Sequence, residues 1–294
     1  MEYDSIRELV AAAEAAGMSI GETVLREQAE ALELSIQETY DRMDERLRVM
    51  EASAKLGMDR DLRSTSGLTG GDAWRMMQFS GSGILGSFME SAIARALAAS
   101  EYNAAMGRIV AAPTAGSCGI MPGCLITLME EKEVSRERIV TAMFTAAAFG
   151  MVIAQKASVA GAQGGCQAEC GSAAGMTAAA VAEAMGGTPQ MAADACAIAL
   201  KNQLGLVCDP VAGLVEVPCV KRNAVGAVIA CAAADMALAG ITSRIPADEV
   251  IDAMKEVGDA LPKSLKETAG GGLATTPTGL WWKERIFGRA PEQH

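Results

Sequence analysis

The class of fold is decided by the stretch SAAGMTAAAVAEAM, residues 172–185. Small or apolar residues fill nearly every position, and polar and apolar residues do not alternate as they do in a half-buried strand. A helix that is apolar all round belongs in the interior of a large protein rather than on its surface. Small side chains also let neighbouring helices approach closely. The stretch therefore predicts a buried central helix.

The same texture, rich in alanine, glycine and methionine, recurs on both sides of this helix. The other stretches are residues 84–105, 139–154, 191–204 and 224–241. Few runs alternate with period two, and aromatic residues make up only 4% of the chain, so small residues must fill the interior. We predict an all-α fold: a multi-helix bundle with buried central helices and loops that converge on a site. Residues 1–294 are expected to form a single domain.

The first 63 residues differ from the rest, because charged residues separate the apolar ones. Apolar residues from Val24 to Tyr40 recur at roughly helical spacing. This spacing predicts one or two amphipathic helices that lie on a partner surface, with a solvated helical hairpin as the alternative. We expect residues 1–63 to wrap the more hydrophobic helical core that residues 64–294 form.

The charge and the apolar runs exclude several classes of partner. The formal net charge is −11, whereas nucleic-acid binding needs a basic surface that displaces counterions from phosphates. The chain opens with acidic residues rather than with a basic and then apolar leader. The most apolar run, residues 139–154, is short for a membrane span. We therefore expect a cytoplasmic protein that binds neither nucleic acid nor membrane.

Four polar loops interrupt the apolar helices, at residues 112–119, 158–171, 207–223 and 269–279. Each combines Gly or Pro with polar side chains. Polar groups inside a core cost free energy unless they are paired, so these loops are expected to converge on a site. A further segment, residues 64–72, is rich in Gly, Ser and Thr. Its backbone N–H groups are suited to cradle an anion, and a plain flexible loop is the alternative.

The eight cysteines are Cys118, Cys124, Cys166, Cys170, Cys196, Cys208, Cys219 and Cys231. Without a secretion signal, a disulfide framework is not expected. Five of them lie in the polar loops, namely Cys118, Cys166, Cys170, Cys208 and Cys219. No Cys-x-x-Cys pair occurs, so spacing alone leaves two roles open, metal ligand and small core residue. Cys196 and Cys231 lie in alanine-rich stretches and fit the core role.

Five motifs in these loops together carry a resemblance to a known family. They are Ser66-Gly67-Leu68-Thr69-Gly70-Gly71, Ala112-Pro113-Thr114-Ala115-Gly116, Gly165-Cys166-Gln167-Ala168-Glu169, Cys208-Asp209-Pro210-Val211-Ala212-Gly213-Leu214-Val215 and Pro218-Cys219-Val220-Lys221-Arg222-Asn223. Over nearly its whole length, the chain resembles the alpha chain of bacterial iron–sulfur L-serine dehydratases. The resemblance implies a lyase that converts L-serine to pyruvate and ammonia.

The resemblance also implies a cofactor. In that family three cysteines hold a [4Fe–4S] cluster, and the matching positions here are Cys166, Cys208 and Cys219. The fourth iron has no protein thiolate and binds the substrate. It acts as a Lewis acid that eases departure of the serine hydroxyl while a base removes the α-proton. Residues 64–294 are thus expected to form a cluster-binding core.

Two departures from the wider family imply a partner. Single-chain members end in a tail whose cysteine folds back onto the fourth iron, but residues 275–294 contain no cysteine. Single-chain members also carry a Ser-Ser-Ser-His-Thr motif that helps to bind substrate, and this chain has none. In the two-chain branch that motif lies on a separate subunit. The resemblance therefore implies that this chain works with an L-serine dehydratase beta chain.

The loop at residues 112–119 is the expected site for the substrate carboxylate. A Gly/Ser/Thr loop before a helix offers backbone N–H groups to anions. The contacts are expected from Thr114, Ser117 and the N–H groups of Gly116 and Gly119. A simple helix cap is the alternative for this loop.

The remaining roles fall to four polar residues. The single histidine is His294, which almost excludes histidine as the base. Lys156 and Glu169 are therefore the candidates for the catalytic base or for the contact with the substrate ammonium group. A structural salt bridge is the alternative for either. Gln167 and Asn223 are expected to orient the substrate or the cluster sulfurs.

Three other functions remain open from the sequence. The first is a pyridoxal-phosphate dehydratase, with Lys156 as the Schiff-base lysine and Gly270-Gly271-Gly272 as a phosphate loop. That fold alternates strands with helices, which this sequence does not predict. The second is an iron–sulfur redox sensor or scaffold subunit without catalysis. The third is the same elimination on L-cysteine or L-threonine.

Overall fold

The computed structural model describes residues 3–288 and contains thirteen α-helices within that range. They are α1 (Ile6–Ala16), α2 (Ile20–Ala31), α3 (Ile36–Gly57), α4 (Asp72–Phe79), α5 (Gly86–Ala104), α6 (Ile120–Glu131), α7 (Arg136–Lys156), α8 (Gly161–Gly164), α9 (Ser172–Ala184), α10 (Pro189–Lys201), α11 (Cys219–Leu238), α12 (Ala247–Ala260) and α13 (Pro277–Phe287). These residues form no strand beyond an isolated bridge between Cys208 and Lys266. The all-α prediction is confirmed. His294 lies outside the described residues.

Helix α9 lies at the centre of the protein, as its sequence predicts. Every residue of α9 except Glu183 is buried, and the helix packs against α7, α10 and α11. Small residues make this packing possible. A Cβ added at Gly175 would lie 3.1 Å from the sulfur of Cys196 on α10. The neighbouring helices therefore approach α9 more closely than large side chains would allow.

The other four predicted helices also form, with shifted ends. Helices α5, α7 and α10 begin or end within about three residues of the predicted bounds, as helix ends commonly do. Helix α11 differs more, because it begins at Cys219 rather than at Ala224. Residues 219–223, predicted as loop, are its first turn. The five residues 167–171, also predicted as loop, form a π-helical turn that continues into α9.

Three helices, not one or two, form within the first 63 residues. Serine caps separate them: Ser19 and Glu22 bond each other's backbone at the start of α2, and Ser35 and Glu38 do the same at the start of α3. Such reciprocal capping satisfies N–H groups that the helix leaves unpaired. The apolar faces of these helices pack on the chain's own helices, α2 on α7 and α3 on α5. Those faces are therefore covered within the chain rather than left for a partner.

Among residues 3–288, one helix, α7, is long and apolar enough to cross a membrane by length and composition alone. Two-thirds of its apolar window, 67%, is buried inside the protein. Phe144 and Phe149 on this helix are almost fully buried. These are the properties of a core helix, as the sequence predicts.

Replacing Gly57 with Ala is expected to destabilise the protein by about 1–3 kcal/mol, the usual cost of overpacking. Helix α3 crosses α5 at this glycine, where an added Cβ would lie 1.9 Å from the carbonyl oxygen of Ala98. That oxygen belongs to helix backbone and has little freedom to move. The free energy of unfolding, measured in denaturant, tests this. Lys55→Ala, at an exposed position on the same helix, is the control and should leave stability nearly unchanged.

Glu183 is expected to make stability fall as pH rises. Its carboxylate accepts hydrogen bonds from the N–H of Gly21 at 3.2 Å and from the hydroxyl of Thr145 at 2.7 Å. Burial nevertheless raises its pKa above the ordinary value. The folded state therefore binds the proton more tightly than the unfolded state, so stability is lost as pH rises from the unfolded pKa through the raised one.

The matched variant for this effect is Glu183→Gln, which has the shape of the protonated acid. The unfolding free energy of the native protein minus that of the variant should decrease between mildly acidic and neutral pH. Denaturant unfolding at a series of pH values measures that difference. A difference that stays constant with pH would show that the pKa of Glu183 is not raised.

Candidate active site

The polar loops meet around Glu169. The hydroxyl of Thr114 donates a hydrogen bond to Oε1 of Glu169 at 2.9 Å, and the sulfur of Cys208 lies 4.0 Å from its Oε2. An added Cβ at Gly161 would lie 2.6 Å from Oε2 as well. Segments 112–119, 158–171 and 207–223 thus surround one carboxylate. The structure brings these three loops together, as expected from the cost of burying polar groups.

The three cysteines that the resemblance selects lie in three different settings. Cys166 immediately precedes the π-helical turn, Cys208 forms the bridge with Lys266, and Cys219 is the first residue of α11. Their exposed fractions are 2%, 3% and 7%. Each of them is close enough to the other two to interact electrostatically. Three buried thiols from three different local structures therefore lie near one another.

The spacing of these thiols does not suit a single metal ion. Within residues 3–288, no three His, Cys, Asp or Glu side chains lie close enough to hold one ion. A tetrahedral zinc would need its sulfur ligands about 2.3 Å from the metal. A [4Fe–4S] cluster bonds each thiolate through a different iron, so its ligands lie farther apart. Three buried thiols and no imidazole are a donor set that fits such a cluster.

The thiols differ in how readily they lose a proton. Burial raises the pKa of Cys219 to about 12 and the pKa of Cys208 well above its ordinary value. A hydrogen bond from Cys170 lowers the pKa of Cys166, and the guanidinium of Arg222 acts in the same direction. A thiolate therefore forms most readily at Cys166. Metal binding would have to displace the protons of the other two.

Cys170, Asp209 and Arg222 belong to this site although the sequence analysis gave them no role. The Arg222 guanidinium donates to the carbonyl of Val207 at 2.7 Å and pairs with Asp209 at 3.0 Å. Asp209 also accepts the backbone N–H of Leu273 at 2.8 Å, which brings the fourth polar loop to the site. The signal was a lone arginine inside the Cys219 motif, since a charge beside buried residues requires a partner.

The loop at residues 112–119 is only partly available to a ligand. Thr114 and Ser117 cap each other's backbone across a short 3₁₀ turn, which is the helix-cap alternative. Ser117 is fully buried. The N–H of Gly119 donates to Oδ1 of Asn223 at 2.8 Å, so it is already paired within the chain. Thr114 and Gly116, both beside Glu169, remain in contact with the centre of the site.

The side-chain amides of Gln167 and Asn223 are both hydrogen-bonded to backbone groups of the protein. The Gln167 amide donates to the carbonyl of Met254 at 2.8 Å and accepts the N–H of Gly205 at 2.9 Å. The Asn223 amide donates to the carbonyls of Gly116 and Cys219, at 2.7 and 2.9 Å. Both ends of each amide are occupied by backbone. Asn223 thereby ties the loop at residues 112–119 to α11. The expected role of these two residues towards the substrate or the cluster sulfurs stays a prediction.

Lys156 is not brought to the carboxylate of Glu169. Its ammonium lies 3.3 Å from Asp252 and 3.8 Å from Asp248, both on α12. Asp248 in turn accepts the N–H groups at the start of α1. These contacts are those of the salt-bridge alternative for Lys156, and its expected role as a base or ammonium contact stays a prediction. The same ion pairs and the all-α fold also argue against a Schiff base at Lys156.

The Gly/Ser/Thr segment at residues 64–72 binds an anion that belongs to the chain itself. The hydroxyls of Ser66 and Thr69 donate to the carboxylate of Glu216, at 2.7 and 3.1 Å. The N-terminus of α4 receives another internal carboxylate, that of Glu101. The segment thus fastens α4 and the segment before Cys219 in place. The anions that the segment binds in the structure are therefore two carboxylates of the chain itself.

Comparison with known proteins places the chain among relatives of one description. The family model for the serine dehydratase alpha chain matches residues 15–274. The chain is 51% identical over 290 residues to a probable L-serine dehydratase alpha chain of Bacillus subtilis, covering 98% of this chain and 96% of that protein. It is 44% identical to the L-serine dehydratase alpha chain of Peptoniphilus asaccharolyticus, covering 94% and 95%.

Longer relatives match over a shorter part. L-serine dehydratase 1 of Escherichia coli is 46% identical over 181 residues, which cover 61% of this chain and 40% of that protein. A protein of Streptomyces coelicolor named L-serine dehydratase is 45% identical over 181 residues, with the same coverage of both chains. The larger part of each of these longer proteins lies outside the matched region.

Proposed function

Since the chain belongs to the serine dehydratase alpha chain family, we propose that it is the cluster-carrying subunit of an iron–sulfur lyase that deaminates L-serine. The cluster would be a [4Fe–4S] group held by Cys166, Cys208 and Cys219. The observation that carries the proposal is the meeting of these three buried thiols around one carboxylate. Random placement of core cysteines does not predict such a meeting.

When bound, the cluster would supply a Lewis-acidic iron that eases departure of the serine hydroxyl. The chain's own residues would then handle the proton and the orientation. Glu169 is suited to accept the α-proton at Oε2, because burial raises its pKa and so makes its carboxylate a stronger base. Thr114 holds Oε1 of the same carboxylate and fixes its direction.

Loss of the α-proton and the hydroxyl from L-serine yields aminoacrylate and water. Aminoacrylate tautomerises to the imine, and hydrolysis of the imine gives pyruvate and ammonia, so one water leaves and one returns. Every step after elimination proceeds without a further protein group. The site therefore needs to supply only one base, a means of releasing hydroxide and an orientation for the substrate.

We further propose that a separate beta chain completes the enzyme. The relatives that match over nearly their whole length are named alpha chains, and this chain covers only 40% of the longer L-serine dehydratases. The unmatched part of those proteins is the natural counterpart of a beta chain. Eight free thiols also fit a reducing compartment, so we propose that the complex works in the cytoplasm.

The experiment is anaerobic purification of the chain with and without a co-expressed beta chain. Iron, sulfide and pyridoxal phosphate are measured, followed by pyruvate formation from L-serine, L-threonine and L-cysteine. We expect iron and sulfide near four of each per chain, no pyridoxal phosphate, and turnover fastest with L-serine. A cluster-loaded complex that forms no pyruvate would favour the sensor function. Protein without iron would contradict the proposal.

A further inference from the structure

Arg222 lies where the three cysteine-bearing segments meet. It is three residues after Cys219, so it projects from the first turn of α11. Its guanidinium hydrogen-bonds the carbonyl of Val207, which precedes Cys208, and the carboxylate of Asp209, which follows it. Its positive charge also lies close enough to the thiol of Cys166 to interact with it electrostatically. One side chain therefore lies beside all three segments that bear the cysteines.

Arg222 carries a charge that is largely buried, and burying a charge costs free energy. The side chain is 17% exposed and that of Asp209 is 5% exposed. Desolvating such an ion pair costs free energy that the attraction between the partners often fails to recover. The neighbouring residue, Lys221, instead extends away and pairs with Asp72 at the surface. The sequence Lys-Arg thus places one cation outside and one against the thiols.

The rigid fork of arginine suits this position better than a lysine would. A guanidinium carries five N–H donors in one plane, whereas an ammonium is a compact point charge. Here the two terminal nitrogens point in different directions, one to Val207 and one to Asp209. The Asp209 carboxylate extends the link to Leu273 through its second oxygen. A single charged group therefore fixes the segment that bears Cys208 from both sides.

We propose that Arg222 is a positioning residue for the cluster: it holds the three ligand segments in register and keeps a positive charge beside the cysteine sulfurs. This inference rests on the proposed function, because it assumes that a cluster is bound. Deprotonated thiolates and the cluster add negative charge to a buried site, and a nearby cation offsets it. Hydrogen bonds and charge near the sulfurs also set the reduction potential of such clusters.

The test compares Arg222→Gln, Arg222→Lys and the control Lys221→Gln, each purified anaerobically with the beta chain. Three quantities are measured: iron and sulfide per chain, the rate of iron loss to a chelator, and the reduction potential of the cluster. The unfolding midpoint of each iron-free protein shows whether the chain still folds. If Arg222→Gln fails to fold, the double variant Arg222→Gln with Asp209→Asn replaces it in the measurement of iron loss, and Asp209→Asn alone is the reference for its reduction potential.

We expect Arg222→Gln to lose iron about tenfold faster than the native protein, a size typical of groups that support metal ligands. Its reduction potential should be lower, because removing a cation makes addition of an electron less favourable. Arg222→Lys keeps the charge but not the fork, so it should lose iron faster while its potential stays close to the native value. Lys221→Gln should match the native protein in all three measurements.

Three results would overturn the inference, and each has a different meaning. If the native protein holds iron and sulfide and Arg222→Gln matches it in iron loss and in potential, Arg222 has no role towards the cluster, and the proposed function stands. Faster iron loss with an unchanged potential would likewise reject the charge compensation. If the native protein itself holds no iron, the proposed function fails and this inference fails with it.

Discussion

Replacing Cys166, Cys208 or Cys219 singly with Ser is expected to abolish both iron binding and pyruvate formation. Each cysteine lies in a different local structure, and each is close enough to the other two to interact electrostatically. A serine hydroxyl binds iron far more weakly than a thiolate does, because soft sulfur ligands select iron–sulfur clusters. Two remaining thiolates would hold the cluster too weakly to survive purification.

The measurement is iron and sulfide per chain after anaerobic purification, followed by serine turnover. Cys196→Ala is the matched control, because Cys196 is equally buried but lies within α10. The control should keep its iron and its activity and lose only some stability. Full iron content in any one of the three serine variants would remove that cysteine from the proposed ligand set.

Replacing Glu169 with Gln is expected to lower kcat by about 10²–10⁴-fold, the usual contribution of a positioned acid or base. Glutamine keeps the size of the side chain and can still accept the hydrogen bond from Thr114. It has no basic carboxylate with which to take up the α-proton. Iron content and KM should change little, because the loss concerns the step of proton transfer.

Glu267→Gln provides the comparison for Glu169. Glu267 is an exposed carboxylate that acts on Glu169 and Cys208 only through its charge. Its replacement should leave kcat within a few-fold of the native value. A native-like kcat in Glu169→Gln would assign the base to another group, such as one from the beta chain. Loss of iron in that variant would instead make Glu169 a support for the cluster.

The sequence predicted the helical class and the positions of the buried helices, because both depend on local texture. Residues 172–185 are apolar all round, and that property alone places a helix inside a bundle. The sequence also selected the loops that meet at Glu169. It placed the start of α11 five residues too late, because Cys219 to Asn223 carry polar side chains whose partners are remote in the chain.

The sequence could not show the structural contacts of Gln167, Asn223 and Lys156, which were expected to serve the substrate or the cluster. Each of the three also bonds to a protein group at least 38 residues away in the sequence. Tertiary hydrogen bonds of this kind leave no periodic trace along the chain. The role of Arg222 was not predicted for the same reason. Only the fold shows that the charge of Arg222 lies near Cys166, whereas Lys221 pairs with Asp72.

The bridge between Cys208 and Lys266 bears on the order in which the protein is made. The N–H of Cys208 donates to the carbonyl of Leu265, and the carbonyl of Cys208 accepts the N–H of Glu267. The carboxylate of Asp209 accepts the N–H of Leu273. A nascent chain that has not yet emerged past these residues leaves the Cys208 segment without its backbone partners. For the proposed cluster, we expect loading to follow translation of the segment up to Leu273, because only then does the Cys208 segment have its partners.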